Sequence, residues 1–110
     1  KGLGHQFLKH IERTRVLVFL LDVNSEDIVA DYEVLCNEIE QHNIDLSYKP
    51  RIICISKCDT VSDDVLKKIA KKKIDKRYPD QFVISSVAQI NIEELKFKMW
   101  ELIEKIPKQI

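Results

Sequence analysis

Apolar residues follow two different spacings along this chain. In four segments they recur every three or four positions, which is the spacing of one face of an amphipathic helix. These segments cover about residues 3–13, 25–41, 62–77 and 91–106. Three nearly continuous apolar runs lie between them and are typical of strands buried on both faces. The runs RVLVFLLD, RIICIS and QFVIS predict strands at residues 15–22, 51–56 and 81–85.

The order of these elements predicts an α/β fold arranged as α-β-α-β-α-β-α. Strands that alternate with helices form right-handed crossovers, so we expect three parallel strands flanked by helices. The 110 residues suffice for a single domain. A strand as apolar as residues 15–22 is poorly suited to a bare sheet edge, which indicates that the sheet is part of a larger one. Self-association of the chain through this edge is therefore one hypothesis.

The composition narrows the possible functions. The 18 basic and 18 acidic residues balance, so no global charge attracts nucleic acid or a membrane. No apolar run approaches the roughly 20 residues of a membrane span. The three cysteines, Cys36, Cys54 and Cys58, lack the spacing of a disulfide framework or a metal site. This pattern favours free thiols in a reducing cytoplasm and predicts no metal centre.

Glycine is scarce and confined to one end of the chain, at Gly2 and Gly4. A phosphate-binding loop of the GxxxxGK[ST] type needs glycines at two fixed positions before its lysine. No such loop can form in this sequence, so the chain cannot hold the phosphates of a nucleotide in that way.

Three segments lie at the carboxyl ends of the predicted strands, at residues 22–25, 56–60 and 85–88. Ser56-Lys57-Cys58-Asp59 follows the second strand, and residues 85–87 end the third. Ligands of parallel α/β sheets bind beyond the carboxyl ends of the strands, so these segments are the places where a site is expected. A carboxylate such as Asp59 can accept two hydrogen bonds from guanine. Taken alone, however, the tetrapeptide is more typical of a polar loop whose Ser and Asp side chains bond locally.

The first segment carries a more specific pattern, GLG-x-x-FL-K-HIERT. It is formed by Gly2, Leu3, Gly4, Phe7, Leu8, Lys9, His10, Ile11, Glu12, Arg13 and Thr14. This pattern resembles the stretch that follows the DxxG switch motif in GTPases of the Obg family. The segments VLVFLLDV, KPRIICISKCD and VISSVAQINIEEL follow in the order that this family shows. The resemblance covers essentially the whole chain, as the C-terminal portion of an Obg-type G domain from the switch II helix through the last helix.

The resemblance implies a site for the guanine base of GTP or GDP. Ser56, Lys57, Cys58 and Asp59 lie at the positions of the family's NKxD motif. Asp59 would select guanine, and the stem of Lys57 would pack along the plane of the base. Ser56 replaces the usual asparagine and has a shorter reach, so the affinity or the selectivity for guanine is expected to be weaker.

The same resemblance places Ser85, Ser86 and Val87 on the family's SA[KV] loop. Ser85 would hold the loop, and the backbone N–H groups of Ser86 and Val87 would receive the O6 atom of guanine. Ser86 replaces the usual alanine, which is a small change at a position that acts through its backbone.

The resemblance also implies what this sequence does not carry. In the family, a P-loop, a switch I threonine and the DxxG aspartate bind the phosphates and Mg²⁺, and all of them precede the segment that Lys1 begins. The parent protein would hydrolyse GTP to GDP, with a role in ribosome assembly and the stress response. The large ribosomal subunit or its RNA would be its partner. We therefore expect no catalytic residue and no metal ligand here, and no hydrolysis by the chain alone.

A lysine-rich segment leaves a different function open. It contains Lys67, Lys68, Lys71, Lys72, Lys73, Lys76 and Arg77. Such a cluster is most simply a solvated helix face that also suits a helix C-terminus. The alternative is a non-enzymatic α/β interaction module that binds RNA or protein through this helix.

Overall fold

The structure is a computed structural model, and it describes residues 4–105, with His5 described only in its backbone. Seven helices and strands follow in the predicted order: α1 (His5–Glu12), β1 (Leu17–Asp22), α2 (Ile28–His42), β2 (Arg51–Ser56), α3 (Asp63–Lys71), β3 (Gln81–Val83) and α4 (Ile92–Lys105). Two short 3-10 helices are added, at Ile44–Tyr48 and Cys58–Thr60. Of the helices within the described residues, none is both long and apolar enough to cross a bilayer.

The three strands form one parallel sheet in the order β1-β2-β3. Leu17 lies opposite Arg51 at one end of the β1–β2 pair, and Asp22 lies opposite Ser56 at the other. The central strand β2 is buried from Arg51 to Ile55, as its continuous apolar run predicts. The predicted α/β class with three parallel strands is confirmed, and it matches part of a P-loop GTPase fold.

Helices cover both faces of the sheet. Helices α1 and α2 and the first 3-10 helix cover one face, where a core of nine buried residues forms: Leu8, Ile11, Leu17, Phe19, Leu21, Tyr32, Ile39, Leu46 and Ile53. The rings of Phe19 and Tyr32 meet edge to face with centroids 5.1 Å apart. A smaller core lies on the opposite face, where α4 packs: Ile52, Cys54, Ile84 and Leu95, with half-buried Met99 and Leu102 against it.

Several element ends differ from the predicted ones because polar side chains set them. Helix α2 begins after Asp27, whose carboxylate accepts a hydrogen bond from the Ala30 N–H, and not after Ser25 as its sequence suggests. The hydroxyl of Ser25 donates a hydrogen bond to the Asp31 carboxylate instead. Strand β3 ends at Val83, two residues before the predicted end, and the Asn91 side chain donates to the Val83 carbonyl there.

Helix α3 is the element that differs most, because it stops at Lys71 and not near residue 77. The side chain of Gln81 accepts a hydrogen bond from the Ile74 N–H and donates to the Lys72 carbonyl, 3.1 and 2.8 Å away. Asp75 also accepts from the Arg77 N–H. These bonds satisfy backbone groups that a longer helix would have paired internally. The chain after Lys71 therefore leaves the helix and returns to the sheet.

Candidate functional site

Three loops meet at the carboxyl edge of the sheet, one after each strand. They comprise residues 22–25, 56–60 and 85–88. This edge is the usual ligand-binding position of parallel α/β sheets. The two segments that match family motifs lie in the second and third loops, and direct hydrogen bonds join these loops.

The loop after β2 is shaped by a left-handed residue and one turn of 3-10 helix. Lys57 has φ 63° and ψ 32°, and its carbonyl accepts hydrogen bonds from the N–H and the hydroxyl of Thr60. Cys58 points inward and is buried, and its N–H donates to the Ile84 carbonyl at 3.0 Å. Burial raises the pKa of the Cys58 thiol, so this cysteine stays protonated and anchors the loop. Lys57 and Asp59 on either side of it are exposed.

Ser85 fixes the position of the Asp59 carboxylate. The Ser85 hydroxyl donates to Asp59 Oδ1 at 2.6 Å and accepts from the Ala88 N–H at 3.0 Å. Ser85 itself is 1% exposed, and its backbone pairs in both directions with Ile90. The second carboxylate oxygen, Asp59 Oδ2, has no hydrogen-bond partner among the described residues. An immobilised carboxylate with one free oxygen therefore faces solvent.

The tip of the third loop offers backbone N–H donors next to Ser85, the hydrogen-bond partner of Asp59. Ser86 and Val87 are exposed, Val87 to 88%. Their N–H groups make no hydrogen bond within residues 4–105. The loop closes because Gln89 donates through its side chain to the Ser86 carbonyl at 2.7 Å. The arrangement thus combines a fixed acceptor with two free N–H donors.

The loop after β1 lies where the strand order predicts a site, and the structure adds the individual contacts of its residues. Asp22 Oδ2 accepts from Lys57 Nζ at 2.9 Å, and Asp22 Oδ1 accepts from the Asn24 N–H. The Asn24 side chain donates to Thr60 Oγ1 at 3.0 Å. The hydrogen bond to Lys57 lowers the pKa of Asp22 and, in return, raises the pKa of Lys57. The only signal in the sequence was that Asp22 and Asn24 follow a buried strand.

Ser56 makes a different contact from the rest of its motif. Its hydroxyl donates to the Leu21 carbonyl of β1 at 3.2 Å. No hydrogen bond joins Ser56 to the third loop, which the Ser85–Asp59 bond holds instead. Of the predicted residues, the structure therefore joins Asp59 directly to the buried Ser85, with Lys57 exposed on the same loop as Asp59 and the Ser86 and Val87 backbone beside Ser85.

The described residues do not provide a metal site. No group of three or more histidine, cysteine, aspartate or glutamate side chains within residues 4–105 could hold a metal ion.

Curated proteins similar to this chain share one description. GTPase Obg of Flavobacterium johnsoniae is 44% identical over 107 residues, which cover 96% of this chain and 32% of that protein. GTPase Obg of Crocosphaera subtropica is 41% identical over 104 residues, covering 94% and 30%. GTPase Obg of Cytophaga hutchinsonii is 44% identical over 105 residues, covering 96% and 31%.

The predicted resemblance to the Obg family is confirmed. It extends over nearly the whole chain, and the chain spans about a third of the length of the Obg proteins that it matches. No protein-family model matches the chain. The part of an Obg protein to which this chain is similar thus includes all three loops of the candidate site.

Proposed function

We propose that this chain is the guanine-recognising segment of an Obg-type GTPase, from the switch II helix through the last helix of its G domain. The observation that carries the proposal is the fixed carboxylate of Asp59. Ser85 holds it at 2.6 Å, and its free oxygen lies on the surface where the loops after β2 and β3 meet. The similarity of the chain to Obg proteins supports the same assignment.

The chemistry of this surface suits guanine. Guanine presents N1–H and an exocyclic amino group side by side, and a carboxylate can accept both hydrogen bonds. Asp59 Oδ1 already accepts from Ser85, but each carboxylate oxygen has two lone pairs, so one remains on it. Adenine has an acceptor at N1 and would leave the carboxylate unpaired, which is strongly unfavourable in a desolvated site.

The residues around Asp59 would complete the site. The free N–H groups of Ser86 and Val87 would donate to guanine O6. The Lys57 side chain, held at its end by Asp22, would lay its alkyl stem along the base. The ion pair is exposed, so it orients the lysine more than it stabilises the fold.

Phosphate binding and hydrolysis would belong to other parts of the complete protein. The sequence has no GxxxxGK[ST] loop, and the described residues hold no metal site. Positioning of the phosphates and their metal supplies most of the rate in such enzymes. We therefore expect the purified 110-residue chain to show no GTP hydrolysis above the uncatalysed rate, measured as phosphate release in the presence of Mg²⁺. Hydrolysis that survives repurification and is lost with Asp59→Asn would contradict this expectation.

The wider role follows from the family resemblance. We propose that the complete protein is cytoplasmic and acts in ribosome assembly and the stress response, with the large ribosomal subunit or its RNA as partner.

The proposed base specificity is tested by binding of GDP, XDP and ADP to the complete protein. We expect GDP to bind at least about 100-fold more tightly than ADP, because adenine leaves the Asp59 carboxylate unpaired. Calorimetric titration of each nucleotide measures this difference. Equal affinities, or no binding of any of the three, would favour the non-enzymatic interaction module instead.

A further inference from the structure

The positive charge of this chain is concentrated in eleven consecutive residues. Residues 67–77 hold seven of the 18 cationic residues and one of the 18 acidic residues, so their formal charge is +6. The remaining 11 cationic and 17 acidic residues give the rest of the chain a charge of −6. The chain as a whole is formally neutral, but residues 67–77 are strongly positive. We call this segment the lysine surface.

The lysines of this surface are exposed and lack ion pairs. Lys67, Lys68, Lys71, Lys72, Lys73 and Lys76 are all exposed, and within residues 4–105 none of them pairs with a carboxylate. The acidic residue of the segment, Asp75, is engaged by Arg77 and by the Tyr32 hydroxyl. The charge of the lysines is therefore available to an external anion.

Helix stabilisation accounts for only part of this charge. Basic residues near the C-terminus of a helix interact favourably with its macrodipole, and Lys68 and Lys71 lie in the last turn of α3. Lys72 caps the end of the helix, and three further cationic residues, Lys73, Lys76 and Arg77, lie beyond it, outside the last turn on which the dipole acts. A ligand that carries many negative charges explains the remainder of the cluster.

We propose that the lysine surface binds the phosphate backbone of RNA without reading its sequence. Protein interfaces are depleted of lysine and contain exposed aromatic anchors. Here Val65 is the one large hydrophobic residue of α3 that is well exposed. The Tyr78 ring, which a base could stack on, is covered by the guanidinium groups of Arg51 and Arg77.

The orientation of α3 also favours backbone contact over base reading. A recognition helix enters the major groove of DNA with its N-terminal residues. The first turn of α3 carries Asp63 and Asp64, which repel phosphates at that end. Double-stranded RNA is recognised mainly through its shape, phosphates and 2′-hydroxyls, which suits a lysine-covered flank. Membrane insertion is disfavoured because half-buried Leu66 and Ile69 place the apolar side of α3 towards the protein.

A charge-matched set of variants tests this proposal. Lys67→Gln/Lys68→Gln/Lys71→Gln removes three charges from the outer side of α3. Lys9→Gln/Arg13→Gln/Arg15→Gln removes three from exposed positions elsewhere. Both are compared with the unmodified chain for binding to a fluorescent, mixed-sequence RNA duplex at several salt concentrations. Circular dichroism and urea unfolding verify that each variant folds.

We expect the α3 variant to bind the duplex about tenfold more weakly or worse at low salt. Its slope of log K against log salt should fall by about 3, roughly 1 per lysine, because each phosphate contact releases counterions. The other triple variant should retain most of the binding, and Lys67→Arg/Lys68→Arg/Lys71→Arg should retain it fully. Equal losses in the two glutamine variants would overturn the proposal. So would preferential binding of an acidic peptide, or a DNA duplex of the same sequence that binds more tightly than the RNA.

Discussion

At the scale of single residues, Arg51 organises the end of the sheet opposite the candidate site. It is 4% exposed, and its guanidinium donates to the Tyr32 hydroxyl and to the Leu46 and Ser47 carbonyls. Its guanidinium also stacks on Phe19 and Tyr78, with centroid distances of 5.0 and 4.4 Å. A buried arginine is tolerated only when its donors are satisfied, as they are here. The sequence RIICIS predicts a strand, but it does not predict the hydrogen-bond and stacking partners of Arg51.

Asp75 extends this network and makes the free energy of unfolding depend on pH in the acidic range. Burial alone would raise the pKa of Asp75, but hydrogen bonds from Arg77 and Tyr32 outweigh it and lower the pKa from 3.8 to about 2. A carboxyl group whose pKa is lower in the folded than in the unfolded protein stabilises the fold. This stabilisation is complete above the pKa of the unfolded state and is lost as the pH falls through the pKa of the folded state. The relevant window is therefore between about pH 4 and pH 2.

We expect Asp75→Asn to lower the free energy of unfolding by about 1–2 kcal/mol near pH 6, since each pKa unit is worth about 1.4 kcal/mol. The difference between the two proteins should shrink towards zero as the pH approaches 2. Urea unfolding at a series of pH values measures both curves. Asp45→Asn, at an exposed carboxylate outside the network, is the matched control. A difference that stays constant with pH would show that Asp75 does not act through its charge.

At the scale of elements, β1 is a sheet edge without the usual protection. In the described part of the chain no strand lies on its outer side, and Leu20 is 61% exposed. Phe7, Leu20 and Leu35 line an apolar groove beside it. Natural edge strands commonly carry charges or bulges that prevent pairing, whereas the one charged residue of β1 is Asp22 at its carboxyl end. The edge is therefore suited to a strand or an apolar surface of another molecule.

We expect the isolated chain to self-associate through this edge, as sedimentation velocity at increasing concentration would show. Leu20→Lys should shift the distribution to monomer, because it places a charge in the groove. Val34→Lys, which charges an exposed apolar position of α2 outside the groove, should leave the association unchanged. A strict monomer at all concentrations would contradict the proposed role of the edge.

The sequence predicts the elements of this fold better than their ends. The three apolar runs identify the strands because burial on both faces leaves little choice of residue type. The end of α3 could not be predicted, since the side chain of Gln81, nine residues after Lys72, replaces the helical hydrogen bonds. The predicted N-cap of α2, Ser25, was wrong, because Asp27 is an equally good N-cap residue and caps the helix instead.

The candidate site shows the same division between local and distant determinants. Lys57, Asp59 and Ser85 could be predicted because each follows a strand and matches a family motif. For Asp22, Asn24 and Thr60 the sequence indicates only the loops in which they lie, since their contacts span 35 or 36 residues of sequence. Ser56, which departs from the family motif, bonds through its hydroxyl to the Leu21 carbonyl of β1.

At the scale of the whole molecule, the features with functional potential lie on three separate regions. The proposed guanine site lies at the carboxyl edge of the sheet, the lysine surface on α3 and the chain after it, and the apolar groove along β1. A complete GTPase would cover the groove with further strands and bring phosphate-binding loops to the same edge of the sheet as Asp59.

The most direct test of the central claim is the base preference of the complete protein carrying Asp59→Asn. An asparagine amide can donate to the C2 carbonyl of xanthine, but it cannot accept both hydrogen bonds from guanine. We predict that GDP affinity falls about 10- to 100-fold while XDP affinity rises, measured by calorimetric titration, with Asp45→Asn as the unchanged control. An Asp59→Asn protein that keeps its preference for GDP over XDP would contradict the assignment of this chain as the guanine-recognising segment.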